Sequence, residues 1–191
     1  MAYKKLTEKP LAFTDVETTG LDPVVNEMLE FACIKGDETL VLKIKPRRIH
    51  TAHPKALGVN GYNEAEWVDA EDITTAAPKI IAFLRDAVFV AHNAKFDVSF
   101  IEAFLKEAGI SERISYHVLD TVTLAYEHLV PCGIESLSLD HVCPVLGISN
   151  DGNHRALTDV IRCKAVYESL SMSTPADRER WSTTIEHMRS V

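Results

Sequence analysis

Two carboxylates one residue apart stand in the segment FTDVETTGLD, residues 13–22. The run leading into them is β-prone, and strands are ordinarily poor in Asp and Glu. Alternate residues of a strand share a face. Leu11, Phe13, Asp15 and Glu17 therefore point the same way, two apolar side chains followed by two acids. With Phe13 facing the core, the acids lie on that same side at the strand's C-terminal end, where ligand sites of open α/β sheets form. Like charges this close raise each other's proton affinity unless a cation neutralises them.

Two further acids occupy faces where charge is costly. Phe100, Ile101, Phe104 and Ala108 form the apolar stripe of a helix that follows His92 and Asn93. Asp97 lies three and four residues before the first two of these, on the same face. A buried, unpaired carboxylate costs several kcal/mol, so Asp97 either caps backbone groups near the helix start or serves a metal. Asp159 shares a helical face with Ala156, Cys163, Val166 and Leu170. Four converging oxygen donors suit a hard cation such as Mg²⁺ or Mn²⁺. Paired cations about 3.5–4 Å apart are a standard device for in-line phosphodiester displacement. His154 stands five residues before Asp159 on the loop SNDGNHR, whose Gly152, Asn and Asp residues would let it move. Beside such a site, an imidazole with an ordinary pKa of about 6.5 takes a proton from water at neutral pH.

These residues need a sheet and helices to hold them. PLAFTDVE reads as a first strand, and EMLEFACIKG with ETLVLKIKP as a hairpin turning at Gly36-Asp37. A helix is expected over Thr75–Arg85, a buried strand in AVFVAH (Ala87–His92), and a helix over Ala94–Ala108 ended by Gly109. YHVLD reads as another strand, with Asp120 capping the helix TVTLAYEHL. Helical segments follow around Ser136–Leu146 and Arg155–Leu170. Three early strands, then strands alternating with helices, imply a mixed sheet flanked by helices. In the tail, Thr174 and Pro175 start a helix whose Trp181, Ile185 and Met188 form one stripe, packed on the domain or at an interface.

Composition sets the outer limits. The 191 residues, 46% hydrophobic and 25% charged, suit one globular domain. No apolar run is long enough to span a membrane, and a soluble, cytoplasmic protein is expected. Cys33, Cys132, Cys143 and Cys163 are scattered, which favours free thiols over a disulfide framework or zinc site. A net charge of −8 argues against a nucleic-acid-coating protein but not against a local grip. Thr39–Asn63 has no acid and carries Lys43, Lys45, Arg47, Arg48 and Lys55, either an edge strand guarded by cations or a phosphate-steering patch.

DVETTGL (15–21), HNAKFD (92–97) and HRALTD (154–159) resemble the three ordered motifs of the DEDDh 3′–5′ exonucleases, a family that includes replicase proofreading subunits and ribonuclease T. The resemblance runs from Ala12 to Leu170, and HPKALGVNGY is similar to the post-hairpin region of ribonuclease T-like members. It implies a ribonuclease H-like α/β fold, a five-stranded mixed sheet whose second strand is antiparallel, flanked by helices. It also implies an exonuclease domain over 1–170 and a helical tail over 171–191. By that resemblance Asp15, Glu17, Asp97 and Asp159 hold two divalent cations, Mg²⁺ or Mn²⁺, Asp15 bridging both and Asp97 supporting the second partly through water. His154 is the implied general base, and nucleoside 5′-monophosphates are the product.

Thr18, Thr19, Gly20 and Leu21 are the implied contacts to the terminal nucleotide. His92 and Asn93 either touch substrate or hold Asp97 in place, and Phe96 either stacks a base or fills core. Single-stranded or frayed DNA and RNA 3′ ends both remain open as partners, as do a homodimer and a polymerase. The chain has no glutamine, hence no glutamine-led clamp-binding motif, and only a short tail. A silent nucleic-acid-binding domain would have no reason to keep buried carboxylates. A phosphodiesterase for small nucleotide esters would use the same metals.

Overall fold

The computed structural model describes residues 5–152 and 154–190. Residues 1–4, Asn153 and Val191, which fall within the expected domain ranges and the His154 loop, lie outside the described residues. Five strands form one sheet: β1 (Leu11–Thr18), β2 (Met28–Lys35), β3 (Glu38–Lys43), β4 (Val88–Ala91) and β5 (Val118–Asp120), in the order β3-β2-β1-β4-β5. β2 is antiparallel to β1 and β3, while β4 runs parallel to β1 and β5. The β2–β3 turn uses Gly36 at φ +61, a left-handed backbone that favours glycine. This is the mixed, second-strand-antiparallel sheet expected from the sequence.

Seven α-helices accompany the sheet among the described residues: α1 (Pro54–Asn60), α2 (Ile73–Leu84), α3 (Ala94–Glu107), α4 (Thr121–Leu129), α5 (Leu139–Val145), α6 (Ala156–Ser171) and α7 (Pro175–Ser190). α2 starts two residues before the expected point because the Asp72 carboxylate accepts the N–H groups of Thr74 and Thr75. α5 is shorter than expected at its start, since Ser138 is extended and the Leu137 carbonyl bonds to His92 instead. Asp120 caps α4 through the Val122 N–H, as its position at the end of a strand suggested.

Period-two alternation divides β1 between two cores. Ala12 and Val16 face a cluster with Phe31, Ile80, Phe100 and Ile101, beneath α2 and α3. Phe13 faces the opposite side, with Ala32, Val90 and the α6 residues Ala156, Val160 and Cys163. Phe13 also meets Tyr167 edge-on, centroids 5.4 Å apart. That second core presses α6 onto the face that Asp15 and Glu17 share. Trp181 and Ile185 of α7 are buried with residues of α4, α5 and α6, and Met188 is partly exposed. Among the described residues, no helix is long and apolar enough to cross a membrane.

Candidate active site

Asp159 is the fourth residue of α6, and the packing of that helix over Phe13 carries it to the end of β1. Asp15, Glu17 and Asp159 each offer an oxygen, all within 4.8 Å of one another. Burial drives the Asp15 pKa well above the usual carboxylate range, and Asp97, Glu17, Asp159 and Glu30 push it further. Burial, then Asp159 and Glu30, raise Glu17 to about 8, against the opposing pull of Arg155. Three oxygen donors forced together in this way fit a hard divalent cation, which would replace mutual repulsion with attraction.

Asp97 reaches the same region from the other face. Asn93 precedes α3 in a left-handed conformation (φ +68), and Asp120 secures the turn by accepting the N–H groups of Asn93 and Ala94. One helical turn later Asp97 is 2% exposed, its Oδ1 accepting the Val16 N–H at 3.1 Å. β4 pairs with β1 only from Leu11 to Phe13, so Asp97 completes the strand edge where β4 has run out. Burial raises its pKa well above the usual range, and its own and the Val16 N–H partly offset this. Asp97 therefore bonds backbone of the strand, at Val16, and of its own first helical turn, while its charge still bears on Asp15.

His154 adopts φ +63 just before α6, and its N–H donates to Asp159 Oδ2 at 3.0 Å. Its half-exposed ring places Nε2 3.9 Å from Asp140 Oδ2. Glu30, Arg155 and Arg162, none singled out in the sequence as a site residue, complete the surroundings. Glu30 lies directly across from Glu17 in the β1–β2 register, and its Oε2 accepts the Ala156 N–H at the start of α6. Arg155 Nη2 stands 3.0 Å from Glu30 Oε1. Arg162 is buried, contacting Asp159 Oδ1 at 2.6 Å and Asp140 Oδ1 at 2.7 Å. An acid inside the apolar run MLEFAC, and an arginine three residues after Asp159 on its helix, were the available signals.

A cleft of about 680 Å³ opens beside Glu17, lined by Thr18, Gly20, Leu21, Val59, Asn60 and Phe96 among others. Its wall depends on close packing at Gly20, where a Cβ would lie 2.4 Å from Asn26 Oδ1. Leu21 is 83% exposed at the rim, and Phe96 bridges cleft and core by packing against Phe100, centroids 4.8 Å apart with the rings tilted by 48°. Other expected substrate contacts are placed differently. Thr19 is fully buried, its N–H and hydroxyl bonded to Glu27 and its carbonyl to the His53 N–H, so it shapes the turn. Both ring nitrogens of His92 are engaged, by Thr121 Oγ1 and the Leu137 carbonyl, each at 2.8 Å. Burial lowers the His92 pKa. His92 is thus bonded to Thr121 and Leu137 and Asn93 to Asp120, and neither is among the residues lining the cleft.

Three cations of the basic segment, Lys43, Arg47 and Arg48, are partnered within the fold. Arg47 Nη1 and Arg48 Nη1 contact Glu107 Oε1 at 2.9 and 2.7 Å, and Glu27 accepts both of their backbone N–H groups. Lys43 stacks over Trp67 at 4.3 Å.

Residues 12–167 match the model of the RNase T-type exonuclease family. The chain is 31% identical over 187 residues to the DNA polymerase III PolC-type of Thermotoga maritima, covering 91% of this chain and 13% of that protein. It is 33% identical over 194 residues to a DNA polymerase III subunit epsilon-like protein of Rhodobacter capsulatus, covering 96% of this chain and 26% of the relative. The chain thus spans about an eighth and about a quarter of these curated relatives. In fold it is similar to E. coli exonuclease I in complex with a dA16 oligonucleotide, with a TM-score of 0.75 and 21% identity over 90% of this chain and 42% of that one.

Proposed function

Because the chain belongs to the exonuclease family of the DEDD type, with a ribonuclease H-like fold, we propose that it removes nucleotides one at a time from the 3′ ends of single-stranded or frayed DNA, releasing nucleoside 5′-monophosphates. The observation that carries this reading is the juxtaposition of the Asp15, Glu17 and Asp159 trio with the cleft beside Glu17. The solved neighbour's oligonucleotide and the relatives' polymerase names favour DNA and a polymerase partner over RNA.

Asp15, Glu17 and Asp159 would hold one divalent cation, Mg²⁺ or Mn²⁺, with Asp97 supporting a second beside Asp15. Such cations supply Lewis acidity toward the phosphoryl oxygens and stabilise attacking and leaving oxygens. The protein's own residues do the rest. Leu21 and Phe96 offer apolar surface to the terminal base, while Gly20, by leaving room for Asn26, shapes the turn that would meet the sugar. The His154 imidazole, on its loop ahead of α6, takes the proton of the attacking water. His92 and Asp120 keep the α3 turn, and with it Asp97, in register.

The test uses matched 5′-labelled single-stranded DNA and RNA oligomers with Mg²⁺, Mn²⁺ or chelator, beside a His154→Ala variant. A metal-dependent ladder shortening from the 3′ end, faster on DNA and reduced by about 10²-fold or more in the variant, is expected. Faster digestion of RNA would overturn the DNA preference. Intact oligomers under every metal would sink the exonuclease reading and leave a small nucleotide ester or a silent binding domain.

A further inference from the structure

Among the described residues the side chain of Arg162 is the one buried cation, at 3% exposure. A buried charge is expensive even when paired, and replacing such a cluster with apolar groups is often neutral for stability. The Arg162 Nε is moreover buried without a hydrogen bond, and the guanidinium also lies against Cys143. Stability alone is thus a poor reason for it to be there.

Its contacts point to another one. Nη1 donates to Asp159 Oδ1 at 2.6 Å, and Nη2 donates to Asp140 Oδ1 at 2.7 Å and Asn150 Oδ1 at 2.5 Å. One guanidinium therefore ties α6 to α5 and to the loop that leads to His154. The second oxygen of Asp159, Oδ2, accepts the His154 backbone N–H at 3.0 Å, and the second oxygen of Asp140, Oδ2, lies near the His154 ring, 3.9 Å from Nε2 and beyond hydrogen-bond reach. A planar fork fixes both carboxylates at once, which a point charge on a flexible stem cannot do equally well. The left-handed backbone of His154 (φ +63) has to be held by such surroundings.

We propose that Arg162 is a positioning residue for the hydrolytic step: through Asp159 and Asp140 it sets the backbone and the ring of His154 relative to the carboxylate trio. This rests on the exonuclease reading and on His154 as its general base. Arg162 touches no substrate. It acts by fixing where the base stands, and a displacement of about 1 Å at a reacting group costs about 10²-fold in rate.

The test compares the full chain with Arg162→Met, Arg162→Lys, Asp140→Asn and Asn150→Ala, by steady-state digestion of a DNA oligomer with Mn²⁺ and by amide hydrogen exchange across residues 147–155. Arg162→Met should lower kcat by about 10²-fold with KM within about threefold, and Arg162→Lys should recover part of that loss. Asp140→Asn and Asn150→Ala, which leave Asp159 paired, should each lower kcat by about tenfold and speed exchange in the loop. If Arg162→Met does not fold, the last two variants decide by the same readouts. Lower melting temperatures with kcat and loop exchange at wild-type values would make Arg162 a structural residue and overturn the proposal. Wild-type digestion with unaffected variants sinks the Arg162 role alone, whereas a wild-type chain that digests nothing sinks the exonuclease reading beneath it.

Discussion

Two clusters of charge in this molecule are built in opposite ways. At the end of β1, Asp15, Glu17 and Asp159 converge within 4.8 Å, with Asp97 and Glu30 close enough to raise the Asp15 pKa further. Around Arg47 and Arg48, every guanidinium has a carboxylate, and Glu27 and Glu107 have spent their oxygens on them. The first cluster is inward-facing and predominantly acidic, with Arg162 on Asp159 and Arg155 on Glu30 offsetting only part of its charge. The second is near the surface and mutually satisfied. Charges that find partners within the fold hold chain segments together and gain little, about 1 kcal/mol or less per exposed pair. Acids pressed together by the packing of a helix, and only partly offset by the chain's own cations, must either keep a proton or take up a further cation.

The sharpest way to break the contrast is to remove one member of the first cluster. Glu17→Gln keeps the side chain's shape and deletes its charge. Loss of several kcal/mol of charge stabilisation predicts a fall in kcat of about 10³-fold or more. The same variant should melt higher than wild type in chelator at neutral pH, because the fold no longer has to hold a proton there against burial and the neighbouring Asp159 and Glu30. Activity measured in Mn²⁺ and melting measured in chelator should thus move in opposite directions. A variant that kept near-normal activity would show that the trio is not the reacting centre.

The sequence already held much of that first cluster, and the reason is periodicity. Alternation put Asp15 and Glu17 on the face of Phe13, and the helical repeat put Asp97 and Asp159 on apolar faces. The same rules missed Glu30, because β2 is buried on both faces from Met28 to Cys33 and no alternation marks the acid. Its position opposite Glu17 depends on the hairpin register, a pairing between strands. Arg162 lies three residues from Asp159 on one helix, a local signal, but its other partners come from α5 and the following loop. The partners of the second cluster were not legible in the sequence either. Arg47 and Arg48 looked unopposed because Glu27 and Glu107 stand 20 or more residues away and meet them only in the fold. His92 is a parallel case: both its ring partners, Thr121 and Leu137, are distant in the chain.

A smaller effect follows from protonation. In the metal-free protein Glu17 titrates near 8 against an ordinary 4.5, and Asp15 is shifted in the same direction. Below about 4.5 the carboxyl is protonated in both folded and unfolded chains, so nothing is lost. Between the two values the unfolded chain gives up its proton while the folded one keeps it. Folding stability therefore declines as pH rises through that window and levels off once the folded group has also ionised. The decline should be on the order of a few kcal/mol, read from urea melts in chelator between pH 5 and 8. Mn²⁺ should flatten the decline by holding the carboxylates ionised in the folded state. A chelated protein whose stability climbed across the same interval would mean that the trio is not strained as described.

The second cluster sets the smallest expected effect, and for that reason the most discriminating one. If Arg47 and Arg48 gripped phosphates, replacing both by Ala would lower the slope of log affinity against log salt by about 1.4 for a single strand. Their guanidiniums are instead committed to Glu107, with Arg48 also 3.7 Å from Glu27. Recruiting them to a substrate would leave Glu107 without its cations, which offsets much of the gain. The double variant should therefore bind oligonucleotide with a salt slope within about 0.3 of wild type and lose about 1 kcal/mol of stability. A full drop in slope would show that the pairs open when nucleic acid arrives. The segment would then belong to the substrate path, and the distinction between satisfied and unsatisfied charge would hold only for the free protein.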